Sequence, residues 1–77
     1  MPSPLQLITI YTTRRYNENR DRRPRLARAY LAIINKAADV QLSGGDMAEL
    51  CAFLSAQHRD ADLARASRDV LEHVAAF

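Results

Sequence analysis

A chain of 77 residues is one domain at most, spanning 1–77, and lies near the size at which a single apolar core supplies only about 3–5 kcal/mol. Its single cysteine, Cys51, excludes an intrachain disulfide, and the longest apolar runs, near Leu31 and Leu50, fall far short of the roughly 20 residues that cross a bilayer. The net charge of +2 conceals a polarity: residues 14–28 carry seven arginines against Glu18 and Asp21, a net of +5, while residues 29–77 set four cations against seven acids, a net of −3.

A small core with no disulfide and no multi-cysteine metal site leaves oligomerisation as the common route to stability, so a homo-oligomer, a dimer or larger, is expected. A lone thiol suits a reducing compartment, and no positive charge precedes the first short apolar run as a secretion signal would require. The expected location is the cytoplasm, with no membrane contact.

In chain order, the segment Leu5–Thr13 is ambiguous. Ile8, Thr9, Ile10, Tyr11, Thr12 and Thr13 have strand propensity, yet neither odd nor even positions form a clean apolar face. As a helix, Leu7, Ile8, Ile10 and Tyr11 share one side, opposite Gln6, Thr9, Thr12 and Thr13. Ser3, Pro4 and Gln6 read as a capping box with proline in the first turn. Helix is preferred; the alternative is an intersubunit strand over residues 5–13, since the chain offers no partner for it.

Arg14 to Arg23 reads as a polar connection, with Tyr16-Asn17-Glu18-Asn19 rich in turn formers. A new helix is expected to begin around Asp21 to Pro24, with Asp21 as its cap. From Arg25 to Val40 the helical period is clear in Leu26, Tyr30, Ile33, Ala37 and Val40, and Ala27, Leu31, Ile34 and Ala38 widen the apolar face. A helix covered on more than one side is the central element. Its first turn carries Arg25 and Arg28, the wrong sign for a helix N-terminus.

Ser43 and Asp46 form a capping-box-like pair, Leu42 and Met47 the two positions of a hydrophobic staple, and Gly44-Gly45 a tight reversal. The third helix runs from Met47 to about His58. A capping aspartate in Arg59-Asp60-Ala61-Asp62 starts the last helix, whose apolar face is Leu63, Ser67, Val70, Leu71, Val74 and Phe77. The expected fold class is all-α: three or four short helices in an antiparallel bundle or helical hairpin arrangement.

The basic run carries the functional expectation. Arginine offers five donors in a planar fork matched to phosphate, and aromatic rings nearby can stack on unpaired bases. The candidate binding residues for nucleic acid or another anionic partner are Arg14, Arg15, Tyr16, Arg20, Arg22, Arg23, Arg25 and Arg28. Tyr11 and Tyr30 lie near the run, but Tyr30 also fits the core pattern. The bland reading is a solvated face, or arginines paired with the acidic second half.

More specific readings fit poorly. A helix-turn-helix over His58–Val74 lacks a glycine-containing turn and carries Asp60, Asp62, Asp69 and Glu72, which would repel phosphate. A ribbon-helix-helix arrangement using Leu5–Thr13 as the strand needs a shorter connection than the roughly ten residues present. Cys51, His58 and His73 are too few for zinc, so no metal and no cofactor is expected. No catalytic residues stand out: Gly44-Gly45 lacks a phosphate loop's spacing and lysine, and Ser43 and Ser67 have no histidine partner. The competing reading is a helical protein–protein interaction module (an adaptor, assembly subunit or inhibitor) setting its apolar helix faces and arginine patch against an acidic protein surface.

Overall fold

In a computed structural model describing residues 3–76, the chain forms four helices: α1 (Pro4–Asn19), α2 (Pro24–Leu42), α3 (Met47–Ser55) and α4 (Ala61–Ala75). The fold is all-α, and no strand occurs among the described residues. Phe77, expected on the last apolar face, lies outside them.

Residues 5–13 are helix. Ser3 extends into a full capping box, accepting from the Gln6 amide while the Gln6 side chain accepts from the Ser3 amide at 2.8 Å. The β-branched threonines adapt by turning their hydroxyls inward along the helix. Thr9, Thr12 and Thr13 each donate to the carbonyl four residues back, at 2.7–2.9 Å. The helix does not stop at Thr13. It takes in most of the expected polar connection, because Arg14, Arg15 and Glu18 are competent helix formers and Asn19 bonds back to the Arg15 carbonyl at 2.7 Å. The turn is reduced to residues 20–23.

Two caps differ from expectation. At α2 the cap position belongs to Arg23, which makes no side-chain capping bond, so Asp21 does not cap the helix. At α3 the cap is Asp46, which accepts from the Glu49 amide at 3.3 Å. Ser43 instead closes α2, its hydroxyl donating to the Val40 carbonyl at 3.1 Å. The two glycines explain the shift. Gly44 takes φ +75°, and the Gly44 and Gly45 amides bond to the Gln41 and Val40 carbonyls, a helix-ending arrangement that lengthens α2 past Val40. Leu42 is left 87 % exposed, so no staple to Met47 forms. An aspartate caps α4 as expected, and of the two offered it is Asp60, accepting from the Leu63 amide at 2.9 Å. The third helix ends at Ser55, short of His58.

The helix Pro24–Leu42 is the central element, packing against each of the other three. It buries Leu26, Tyr30, Ile33, Ala37 and Val40 along the expected stripe, together with Ala27 and Ala29. Of the residues that widen the face, Ala27 is buried and Ile34 half-buried, whereas Leu31 and Ala38 are exposed. Leu50 and Leu54 of α3 and Ala66 and Val70 of α4 complete the core. α1 lies antiparallel to α2, with Gln6, Thr9 and Ile10 beside Gln41. It is also antiparallel to α4, with Arg15 facing Asp69 and Tyr11 facing His73.

The face that α1 buries differs from the expected one. Leu5, Ile8, Thr12 and Asn19 point inward, whereas Leu7 and Ile10 are 39 % and 56 % exposed. Thr12 can be buried because its hydroxyl is bonded to the Ile8 carbonyl.

Candidate anion-binding surface

The eight candidate residues separate into two environments. Arg14, Arg20, Arg22, Arg23, Arg25 and Arg28 are exposed on the end of α1, the turn, and the first turns of α2. Arg15 and Tyr16 are half-buried and face the interior.

Arg15 is engaged within the fold. Its Nε donates to Asp69 Oδ2 at 3.0 Å, its Nη1 donates to Glu18 at 3.0 Å, and its guanidinium lies 5.6 Å from the Tyr30 ring centroid. Asp69 also accepts from the Tyr11 hydroxyl at 2.7 Å and the Tyr30 hydroxyl at 2.5 Å. One carboxylate thus ties α1, α2 and α4 together. Burial by itself would raise the Asp69 pKa, but bonds from Tyr30, Tyr11 and Arg15 outweigh it and hold the group below the ordinary carboxylate range. Tyr11 is pushed up to about 12, first by burial and then by its bond to Asp69; Tyr30 is raised for the same two reasons. The Tyr11 ring stacks on His73, with centroids 3.7 Å apart. Arg15 is therefore part of the scaffold. Tyr16 is half-buried, with its ring packed in part against the core.

The six exposed arginines have little to hold them. Arg20 stands 4.0 Å from Asp21, an exposed pair worth little. The other five make no ion pair with any described residue. Around the start of α2 the charge is dense. Arg23 and Arg25 border a shallow notch of about 320 Å³, where Arg65 of α4 joins them and Asp62 sets one acid among the three arginines. Arg65 was not among the expected residues; its place one turn before Asp69 on the same helix would not have revealed it without knowing how α4 lies on α2. The first turn of α2 holds no acidic residue and no side-chain cap, so no side chain accepts from the Arg25 and Leu26 amides.

On the α4 side this basic corner ends abruptly. Arg25 and Arg28 form one wall of a groove of about 450 Å³, Asp60 and Asp62 the other, with Ala29 and Ala32 on its floor. The positive surface is therefore the outer corner around residues 20–25 with Arg14 and Arg28 at its margins, not a continuous stripe.

Cys51, on α3, is half-buried, and the described residues contain no cluster of three or more His, Cys, Asp or Glu side chains able to hold a metal ion. No helix is long and apolar enough to cross a membrane. Compared with family models, curated proteins and solved structures, the chain matches none of them.

Proposed function

We propose that the chain binds a polyanion, nucleic acid, through the arginine corner formed by the end of α1, the turn at residues 20–23 and the first turn of α2. The observation that carries this reading is the state of the arginines. Arg14, Arg22, Arg23, Arg25 and Arg28 are exposed and without an ion pair among the described residues, and two of them stand at a helix start where their charge opposes the dipole. An anion at that corner would receive guanidinium forks together with uncapped backbone amides. The contacts would go to phosphate oxygens. With Tyr16 half-buried and packed in part against the core, little remains to read bases, so binding would depend weakly on sequence.

The test is affinity for duplex DNA, single-stranded DNA and RNA at about 50 and 200 mM salt. Neutralising about five phosphates should weaken binding by two to three orders of magnitude between the two conditions. Absence of binding at the lower salt overturns the proposal. The short extent of the positive surface, which Asp60 and Asp62 bound on one side, carries a second reading in which a short acidic protein segment, not a long polyanion, docks on the same corner. Binding of an acidic polypeptide with no binding of nucleic acid would select that reading.

A further inference from the structure

We propose that the groove between the start of α2 and the start of α4 binds a small zwitterion: a ligand with an anionic end, a cationic end and a short apolar chain between them. The groove borders the arginine corner, but the proposal does not rest on the polyanion reading.

Helical spacing builds the site. Arg25, Arg28, Ala29 and Ala32 stand at positions i, i+3, i+4 and i+7, so they share one face of α2, the face that meets the start of α4. The arginines form one wall, and the two alanines leave a low apolar floor beside Leu63. The opposite wall is the N-terminal end of α4. Asp60 stands there because it caps that helix, its Oδ1 accepting from the Leu63 amide at 2.9 Å. Asp62 follows in the first turn, where the helix dipole favours an acid. Each aspartate thus has a local reason for its place. The arginines opposite have none, since their charge opposes the dipole of α2. The two walls do not neutralise one another: no ion pair joins Arg25 or Arg28 to Asp60 or Asp62.

Charge complementarity decides the occupant. A simple anion would gain the arginines but face two carboxylates across the groove, and a simple cation would meet the reverse. An uncharged molecule would take water from four charges and return no partner. An occupant carrying both signs, laid across the groove, meets an opposite charge on each side. The groove's volume of about 450 Å³ falls within the range of about 300–1,000 Å³ usual for small-ligand clefts. Its walls stand on two helices packed together, whose axes in such pairs lie about 8–10 Å apart. The ligand's charges should therefore be separated by several bonds, as in an ω-amino acid, with its methylenes lying over Ala29, Ala32 and Leu63.

The probe is ε-aminocaproate, titrated at low salt into the isotope-labelled full chain with no nucleic acid present. Binding should be saturable and should shift the amide resonances of Ala29, Ala32 and Leu63. Caproate and hexylamine, each carrying one of the two charges, should bind about fivefold more weakly, the loss of one exposed ion pair. Arg25→Gln combined with Arg28→Gln should lower the affinity for ε-aminocaproate to that for hexylamine. Asp60→Asn combined with Asp62→Asn, which keeps a competent helix cap, should lower it to that for caproate. Helical circular dichroism should be unchanged in both, and Glu72→Gln, near the far end of α4, should bind as the parent does. Equal affinity for caproate and ε-aminocaproate would reveal a plain anion site and overturn the proposal. So would the absence of binding, or shifts confined to residues outside the groove. Since nucleic acid is absent from the titration, each of these failures leaves the polyanion reading to its own salt-dependence test.

Discussion

Asp69 holds more of the fold than its sequence context suggests. Three donors from two other helices converge on its carboxylate, and each would be left without its acceptor if the group were removed. Asp69→Ala should therefore cost about 2 kcal/mol, the order expected for hydrogen bonds to a charged group. Its pH dependence has a definite sign. The folded pKa lies below the ordinary value, so the contribution is complete above about pH 4 and is lost as pH falls through the folded value. At the other end, Tyr11 titrates at about 12 in the fold, so its neutral form stabilises the protein below about pH 10 and that contribution fades between pH 10 and 12. Urea unfolding at a series of pH values should show both losses. Tyr11→Phe should flatten the alkaline one, and an unchanged alkaline profile would show that the hydroxyl is not bonded to Asp69. Ser67 lies in the same interior with its hydroxyl lacking a hydrogen-bond partner among the described residues, and no feature of the fold accounts for it.

At the scale of the element, α2 is held by packing rather than by its own N-terminus. It begins on an arginine that caps nothing and carries cations where acids are favourable, yet it buries seven residues against three neighbours. This separates stability from binding. Arg25→Glu should raise stability by about 0.3–1 kcal/mol through the helix dipole while reducing affinity for nucleic acid. Chemical denaturation and a binding titration on the same variant check both signs. If the change lowered stability and left binding intact, Arg25 would be a structural residue and the corner would have to be redrawn without it. α1 shows a related division between ends: residues 4–13 are uncharged, residues 14–19 carry Arg14, Arg15 and Glu18, and of the two arginines Arg15 is drawn into the interior.

Across the whole molecule, the separation of a basic corner from an acidic second half admits two uses, attraction between the halves or attraction of something else. The ion pairs favour the second. Those among the described residues are Arg15 with Glu18, Arg15 with Asp69 and Arg20 with Asp21, and only the Asp69 pair joins the two halves. Folding stability should accordingly change by no more than about 0.5 kcal/mol between low and moderate salt, since screening acts on exposed pairs that contribute little. Thermal or urea unfolding at both salt concentrations measures this. A steep loss of stability with salt would mean that the corner is spent on the protein's own acids.

What was legible in the sequence was local. The Ser3 capping box, the stripe from Leu26 to Val40, the Asp60 cap and the clustering of arginines each depend on residues within a turn or two of one another, and the helices form where those signals predict them. Errors of boundary were also local: Gly44 and Gly45 end α2 rather than begin α3, which moves the cap from Ser43 to Asp46. The tertiary structure decided the rest. Tyr11, Arg15 and Tyr30 stand 58, 54 and 39 residues from Asp69, a distance at which no spacing rule operates. Thr12 could replace Ile10 on the buried face because its hydroxyl is satisfied within its own helix, so polarity alone did not set the rotation of α1. That rotation turned Ile10 outward, and the convergence on Asp69 drew Arg15 inward from an otherwise exposed basic run.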